Sequence, residues 1–259
     1  MRSGCFGHAE VAVHTSALIG PEVEFGPGTE VGPFCRFEGR VSVGARCWFA
    51  PGVIVGSRPM DYKYRGETTE VRIGTNNQFF EYATVHRSCG EGTSTVIGDN
   101  NMVMAYVHIA HNCRIGSGCV LTNGVQLAGH VEVGDGANIG GLAGVHQFCR
   151  IGKLAMVGAC SYVSKDIPPF VLAAGNPCRV RGLNTVGLKR AGFSSEELAA
   201  LRHAFRLVYR SGLNLTQALA RIESELLAGH EPGRQHVAVL AGFLGSSCRG
   251  IELRSSQQR

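Results

Sequence analysis

Tryptophan occurs once in the 259 residues, proline nine times, and only 17% of the side chains are charged. An ordinary globular domain carries roughly a quarter charged residues. No apolar run approaches the roughly 18 residues of a membrane span. The opening stretch MRSGCFGHAEVAVHTSALIG has no unbroken apolar core before a cleavage site, so no signal peptide is expected. No CxxC pair occurs among the ten cysteines, which argues against a structural zinc site. Disulfide scaffolds are short and secreted, so a reducing cytoplasm is the expected compartment. Glycine, by contrast, is abundant at 36 residues. It does not recur at every third position, which excludes collagen. With 44% apolar residues and a net charge of +5, the chain can bury a core, and bulk disorder is excluded.

What is present is a six-residue repeat. An aliphatic residue or Phe opens each hexad at Val13, Ile19, Phe25, Val31, Phe37, Val43, Phe49 and Val55. The phase returns at Ile73, Phe79 and Val85, then runs unbroken from Ile97 to Val163. Gly often follows the opening residue, and a small residue usually sits four places on. Cys35, Cys47, Cys113, Cys119 and Cys149 occupy that small-residue slot, so they read as buried hydrophobes. A period of six fits neither helix nor simple strand alternation. It fits a short strand and a turn per hexad, with Gly permitting the bend and three hexads closing a triangular coil. This resembles the hexapeptide-repeat left-handed parallel β-helix, and the left hand is taken from that resemblance. Members of that group usually pair three such prisms, which implies a homotrimer.

Two segments leave the repeat: residues 57–72, a polar basic loop, and residues 87–95. Excursions on a rigid scaffold are where function tends to sit. Past Val163 the repeat gives way to a Pro- and Gly-rich stretch and then to helical signals. Ser194 and Glu197 form a capping-box pattern before ELAALRHAFRLVYRSG, and Gly212 marks its stop. LTQALARIESELLAGH and HVAVLAGFLGSS read as further helices, and the tail ELRSSQQR as frayed. The expected division is an all-β prism at 1–183 with a smaller α-helical domain at 184–259. Charge divides similarly: residues 1–177 carry 13 basic and 14 acidic side chains, residues 178–259 carry 12 and 6. The C-terminal part is therefore the expected docking surface for an acidic partner.

Histidines cluster by the repeat arithmetic. The hexads opening at Ile109, Leu127 and Val145 are 18 apart and stack on one side of successive coils. They carry His111, His130 and His146, and His108 ends the preceding hexad. A cluster of imidazoles suits a metal site or general-base catalysis, and the spacing alone does not choose.

The wider motifs do. NMVMAYVHIAHNCRIG, QLAGHVEVGD, GVHQFCRIG, DIPPFVLAAGNP and GLKRAGF, with the loop MDYKYRGE, closely resemble the UDP-N-acetylglucosamine acyltransferase family. The resemblance implies transfer of an R-3-hydroxyacyl chain from acyl carrier protein to the 3-hydroxyl of UDP-N-acetylglucosamine, opening lipid A synthesis. It implies His111 as general base and the Gly129 backbone N–H as oxyanion donor. His108, His130 and Gln147 would line the sugar and acyl pocket, and Asp61 and Lys63 would contact the sugar and phosphate side. Asn184 and Arg190 would contact the nucleotide, and Ala159 would limit the acyl chain, its small size leaving room for a longer one. No metal and no cofactor are implied. The chain departs from the family at Asn112, where Asp is usual, and at Met60, where Gln is usual; Val186 and Ala191 replace polar residues.

Arg202, Arg206 and Arg210 fall at i, i+4 and i+8. Like charges so spaced cost a few tenths of a kcal/mol each, and an acidic carrier protein docking there would neutralise them. Nucleic acid is not expected, because no aromatic platform accompanies the charge. Two other readings remain: a γ-carbonic-anhydrase-like zinc enzyme using His108, His111 and His130, and a non-catalytic UDP-sugar-binding paralogue. An amino-sugar acceptor, giving an amide, is a milder variant of the transferase.

Overall fold

The structure, a computed structural model, describes residues 10–229 and 232–252. Much of the expected leaderless start and nearly all of the expected frayed tail lie outside the described residues. Short strands, most of two residues, recur once per hexad from Ala12–Val13 to Tyr162–Val163. They assemble into three sheets of ten, eight and seven strands. Every pairing in them is parallel except the last, Val171–Ala174 against Arg179–Leu183. Successive hexads pass from the first sheet to the second to the third, so each coil has three corners, and the chain forms a parallel β-helix.

The pattern of burial explains why the hexad folds this way. From Val31 to Val163 the opening residue of every hexad is buried. Removing such side chains from water stabilises by about 1.5–3 kcal/mol each. Within this interior Phe37 meets Phe49 edge-on at a centroid distance of 5.0 Å, and Phe49 stacks on Phe79 at 4.9 Å. The five cysteines of the small-residue slot are buried with them.

The Gly after the opening residue has a different role from the expected bend. At Gly26, Gly44 and Gly134 an added Cβ would lie 2.6 Å from backbone of the adjoining coil. These glycines permit close stacking of coils, and none has a positive φ. The bend is made two residues later, at the fourth position, where φ is positive. Phe34, Tyr82, Asn100, Tyr106, Asn112, His130, Leu142 and Phe148 all adopt left-handed backbone there.

The first excursion is narrower than 57–72. Strands Ile54–Ser57 and Glu70–Ile73 take in its ends, because Ser57 pairs with His86 and Glu70 with Arg40 and Ser94. Its anchor is Tyr64, buried beneath the guanidinium groups of Arg58 and Arg87. The second excursion is bounded by Thr84–His86 and Ser94–Ile97.

Helix α1, Thr185–Arg190, was not expected. Helix α2, Ser195–Tyr209, begins at the Ser194/Glu197 capping box. Helix α3, Leu215–Ile222, runs into a π-helical turn at Glu223–Leu227, and α4 spans Arg234–Gly245. These helices share a second core built on Leu188, Leu201, Ile222, Val237 and Leu240, with Phe170 of the prism end inside it. Among the described residues no helix is long and apolar enough to cross a membrane.

Candidate active site

The corner between the second and third sheets carries the histidines. In the second sheet Thr84, His108, Gln126, Gly144 and Tyr162 stand in register, one per coil. At the adjoining corner His111, Gly129 and Gln147 occupy equivalent places in three successive coils. A cleft of about 490 Å³ lies against this surface, lined by His108, His111, Gly129, His146, Gln147 and Met60 among others. Met60 arrives from the first excursion. His111 is 8% exposed and faces this cleft, while the prism interior is filled by the hexad-opening residues.

His111 is oriented by its neighbour. Its Nδ1 lies 2.9 Å from Oδ1 of Asn112. The amide of Asn112 is itself fixed: the Cys89 N–H donates to Oδ1 at 2.9 Å, and Nδ2 donates to the Cys89 carbonyl at 3.1 Å. An amide oxygen only accepts. Nδ1 of His111 therefore carries a proton and donates, so that in the neutral ring the Nε2 lone pair is free toward the cleft. Asp61 Oδ2 lies 3.8 Å from that Nε2.

Gly129 is packed against the same ring. A Cβ on Gly129 would sit 2.5 Å from Nε2 and Cε1 of His111. Gly129 is buried, and among the described residues its N–H donates to no group. A buried, unspent N–H beside an imidazole lone pair can stabilise an oxyanion where the base acts.

The flanking imidazoles are held neutral. Burial, aided by the neighbouring His86 and His111, pushes His108 down to about 4. Its Nδ1 lies 2.8 Å from the Thr84 hydroxyl. His130 is lowered chiefly by burial and then by His111, with Asp61 opposing and Lys63 adding to the effect. The His130 ring meets His111 edge-on at 5.3 Å and stacks on Phe148 at 4.6 Å. His146 accepts from Arg249 at 3.1 Å. His86, whose ring centroid lies 5.1 Å from that of His108, joins the cluster without having been expected. Among the described residues no group of three His, Cys, Asp or Glu is arranged to hold a metal ion.

One chain thus brings Asp61, His108, His111, Gly129, His130 and Gln147 together, with Lys63 close enough to act on His130. The Lys63 N–H donates to Asp61 Oδ1 at 2.8 Å, which shapes the loop tip. Ala159 is exposed at another corner, between the first and second sheets. Asn184 caps α1, accepting from the Gly187 N–H at 3.1 Å and donating to the Leu154 carbonyl at 3.0 Å. Arg190 is exposed in the last turn of α1. None of these three lines the cleft of its own chain. Arg202, Arg206 and Arg210 are exposed on one side of α2 and its cap, and none enters a salt bridge among the described residues.

Comparison with known proteins agrees with this architecture. Residues 166–252 match the family profile described as Udp N-acetylglucosamine O-acyltransferase, domain 2, and residues 94–129 match the bacterial transferase hexapeptide profile. An acyl-[acyl-carrier-protein]–UDP-N-acetylglucosamine O-acyltransferase of Verminephrobacter eiseniae is 45% identical over 215 residues, 83% of this chain and 82% of that one. The protein of that name from Gloeothece citriformis is 46% identical over 173 residues, 67% of this chain. The match spans 63% of the Gloeothece relative and 62% of a similar Synechocystis protein, less than two thirds of each. The solved UDP-N-acetylglucosamine acyltransferase of Campylobacter jejuni superposes with a TM-score of 0.81 at 32% identity, covering 96% of this chain and 99% of that one. The Arabidopsis UDP-N-acetylglucosamine acyltransferase gives 0.77 at 32% identity, covering 94% and 99%.

Proposed function

The chain belongs to the UDP-N-acetylglucosamine O-acyltransferase family, and from that membership we propose that it moves an R-3-hydroxyacyl chain from acyl carrier protein to the 3-hydroxyl of UDP-N-acetylglucosamine. This is the first step of lipid A synthesis. The observation that carries the reading is the pairing of a free Nε2 on His111 with the unspent N–H of Gly129.

The chemistry follows from that pair. Nε2 takes the proton of the sugar hydroxyl as its oxygen attacks the thioester carbonyl. The Gly129 N–H holds the oxygen that becomes negative. As the tetrahedral intermediate collapses, the carbon–sulfur bond breaks and the imidazolium returns its proton to the leaving thiolate. The neutral His108 and His130 line the acceptor side with Gln147, and Asp61 and Lys63 receive the sugar and its phosphates, Lys63 as a point charge. No metal or cofactor takes part in these steps.

The site is completed by a second copy. Phe34, Tyr82, Tyr106 and Leu142 lie on one edge of the prism and are 73%, 55%, 62% and 70% exposed. An apolar ladder so exposed favours association, and we assign it to the interface of a homotrimer of left-handed prisms. Ala159 shares that edge, so it would reach the cleft of a neighbouring copy and set acyl length there. Asn184 and Arg190 would contact the nucleotide, also from a neighbour. The prism, 1–183, and the helical domain, 184–259, act as scaffold and docking platform, the carrier seating on Arg202, Arg206 and Arg210 in the cytoplasm.

The test is product formation. Purified protein mixed with R-3-hydroxyacyl carrier and UDP-N-acetylglucosamine should give the mono-acylated sugar nucleotide by mass spectrometry, with the ester at the 3-oxygen. An amide on the corresponding amino-sugar nucleotide, with no ester, would revise the acceptor; no product from either would refute the reading.

A further inference from the structure

Glu67 ties the two excursions together. Its Oε2 accepts the Arg65 N–H at 2.6 Å, within its own loop. Its Oε1 accepts the Gly90 N–H at 3.0 Å and the Cys89 thiol at 3.5 Å, both in the second excursion. The tie is reciprocal nearby: the Thr68 N–H donates to Glu91 Oε2 at 3.1 Å, and the Gly92 N–H donates to the Thr68 carbonyl at 3.0 Å. The backbone N–H groups of Arg65, Glu67 itself and Gly90 favour the carboxylate and hold it down to about 2, against partial desolvation. Glu67 is thus an anion at neutral pH, and it accepts from both sides of the gap between the loops.

Cys89 is where this tie meets the base. Its N–H and its carbonyl grip the two ends of the Asn112 amide. The Asn112 N–H is also anchored, to the Thr95 hydroxyl at 2.9 Å. An amide has a donor end and an acceptor end of nearly the same shape. A carboxylate beside His111 would accept Nδ1–H in either orientation. An amide does so in only one: turned over, it presents NH2 to Nδ1 and demands the tautomer with its proton on Nε2. That tautomer has no lone pair toward the cleft. In this chain the correct tautomer therefore depends on Cys89 staying in place, and Cys89 is held by Glu67 at its thiol and at the next N–H, and by the Thr93 hydroxyl at its carbonyl.

We propose that Glu67 is a positioning residue that couples the loop carrying Asp61 and Lys63 to the tautomer of the His111 imidazole. The proposal rests on the transferase reading for its consequence in catalysis. Its structural content is independent: loss of the Glu67 carboxylate frees Cys89, lets the Asn112 amide turn, and mixes the two forms of His111. A second consequence concerns the acceptor. Because Asp61 sits six residues before Glu67 in the same loop, disturbing the tie also loosens the acceptor's binding surface.

Long-range 1H–15N spectra of the full chain labelled at histidine test this without any turnover. The His111 ring is assigned by comparison with a His111→Gln sample. Wild-type protein should show His111 as the single Nδ1–H form. Glu67→Ala should show both forms, and Glu67→Gln, which keeps one acceptor oxygen, a smaller share of the second. In the acyl-transfer assay Glu67→Ala should lower kcat about tenfold and raise KM for UDP-N-acetylglucosamine. Glu67→Ala combined with Asn112→Ala should be no slower in kcat than Asn112→Ala alone. An unchanged His111 pattern in Glu67→Ala, or in Glu67→Gln should the alanine variant fail to fold, overturns the proposal. Multiplicative losses of kcat in the double variant overturn it as well. If wild-type protein transfers no acyl group, the transferase reading fails while the spectra still decide the role of Glu67.

Discussion

Gly129 and His111 are packed so closely that a single methyl group cannot fit between them: a Cβ on Gly129 would lie 2.5 Å from Nε2. The contact explains the residue type directly, since Gly129 has ordinary negative-φ backbone and is not needed for a bend. It also makes a clean experiment possible, because the group that must yield is the tip of an imidazole and not the scaffold.

Gly129→Ala should fold with a melting temperature within a few degrees of wild type and lose activity. Displacing a catalytic ring by about 1 Å costs on the order of a hundredfold in rate. Thermal melting and kcat measured on the same sample check both halves. A variant of near-normal kcat would mean that His111 does not work from this position.

His108 gives the protein a pH-dependent term in its stability. Its folded value of about 4 lies below its ordinary 6.5. Between those values the unfolded chain binds more protons than the folded one, so stability rises with pH across the window. The contribution is complete above about 6.5 and is lost as pH falls toward 4, with a slope of up to about 1.4 kcal/mol per pH unit for one proton. His130 adds a smaller effect of the same sign. Urea unfolding across this window should show a shallower slope for His108→Gln than for wild type, and an identical slope would contradict the burial of a neutral ring.

The exposed ladder of Phe34, Tyr82, Tyr106 and Leu142 is expected to be covered by a second copy. Tyr106→Glu combined with Leu142→Glu should convert a trimer to monomers in sedimentation, with the β-rich circular dichroism retained. Activity should fall with the trimer, because the acyl-limiting and nucleotide residues would come from a neighbour. A wild-type protein that sediments as a monomer would remove the shared site.

Much of this was legible in the chain because the hexad is a strict geometric code. The opening residues Val31 to Val163 could be placed inside the prism, and the 18-residue return put His111, His130 and His146 on one edge. His86 escaped because the second excursion, which follows it directly, lengthens the return from its strand to that of His108 from 18 residues to 24 and breaks that count. The bend positions escaped for a different reason. Tyr82, His130 and Phe148 carry positive φ without being glycine, and only the fixed geometry of the coil imposes it. The glycines that are present mark close contacts between coils, which no local pattern announces. Helix α1 is six residues long, too short for an apolar period to show. Asn184 was singled out for a nucleotide, yet within its own chain its side chain is engaged in capping that helix.

Arg202, Arg206 and Arg210 are free of carboxylate partners among the described residues, while nearby His203 and His236 pair with Glu225 and Glu197. Reversing all three to Glu should raise KM for the acylated carrier about tenfold or more, flatten its salt dependence, and leave KM for the sugar nucleotide unchanged. An unchanged carrier KM would place the docking surface elsewhere.

The most direct measurement is kcat/KM for acyl transfer by His111→Ala beside wild type, each verified as folded by its melting curve. Removal of the general base should lower the rate by about a thousandfold, within the range that proton transfer by a positioned side chain supplies. A folded His111→Ala protein that keeps its rate to within about threefold would show that another group takes the proton.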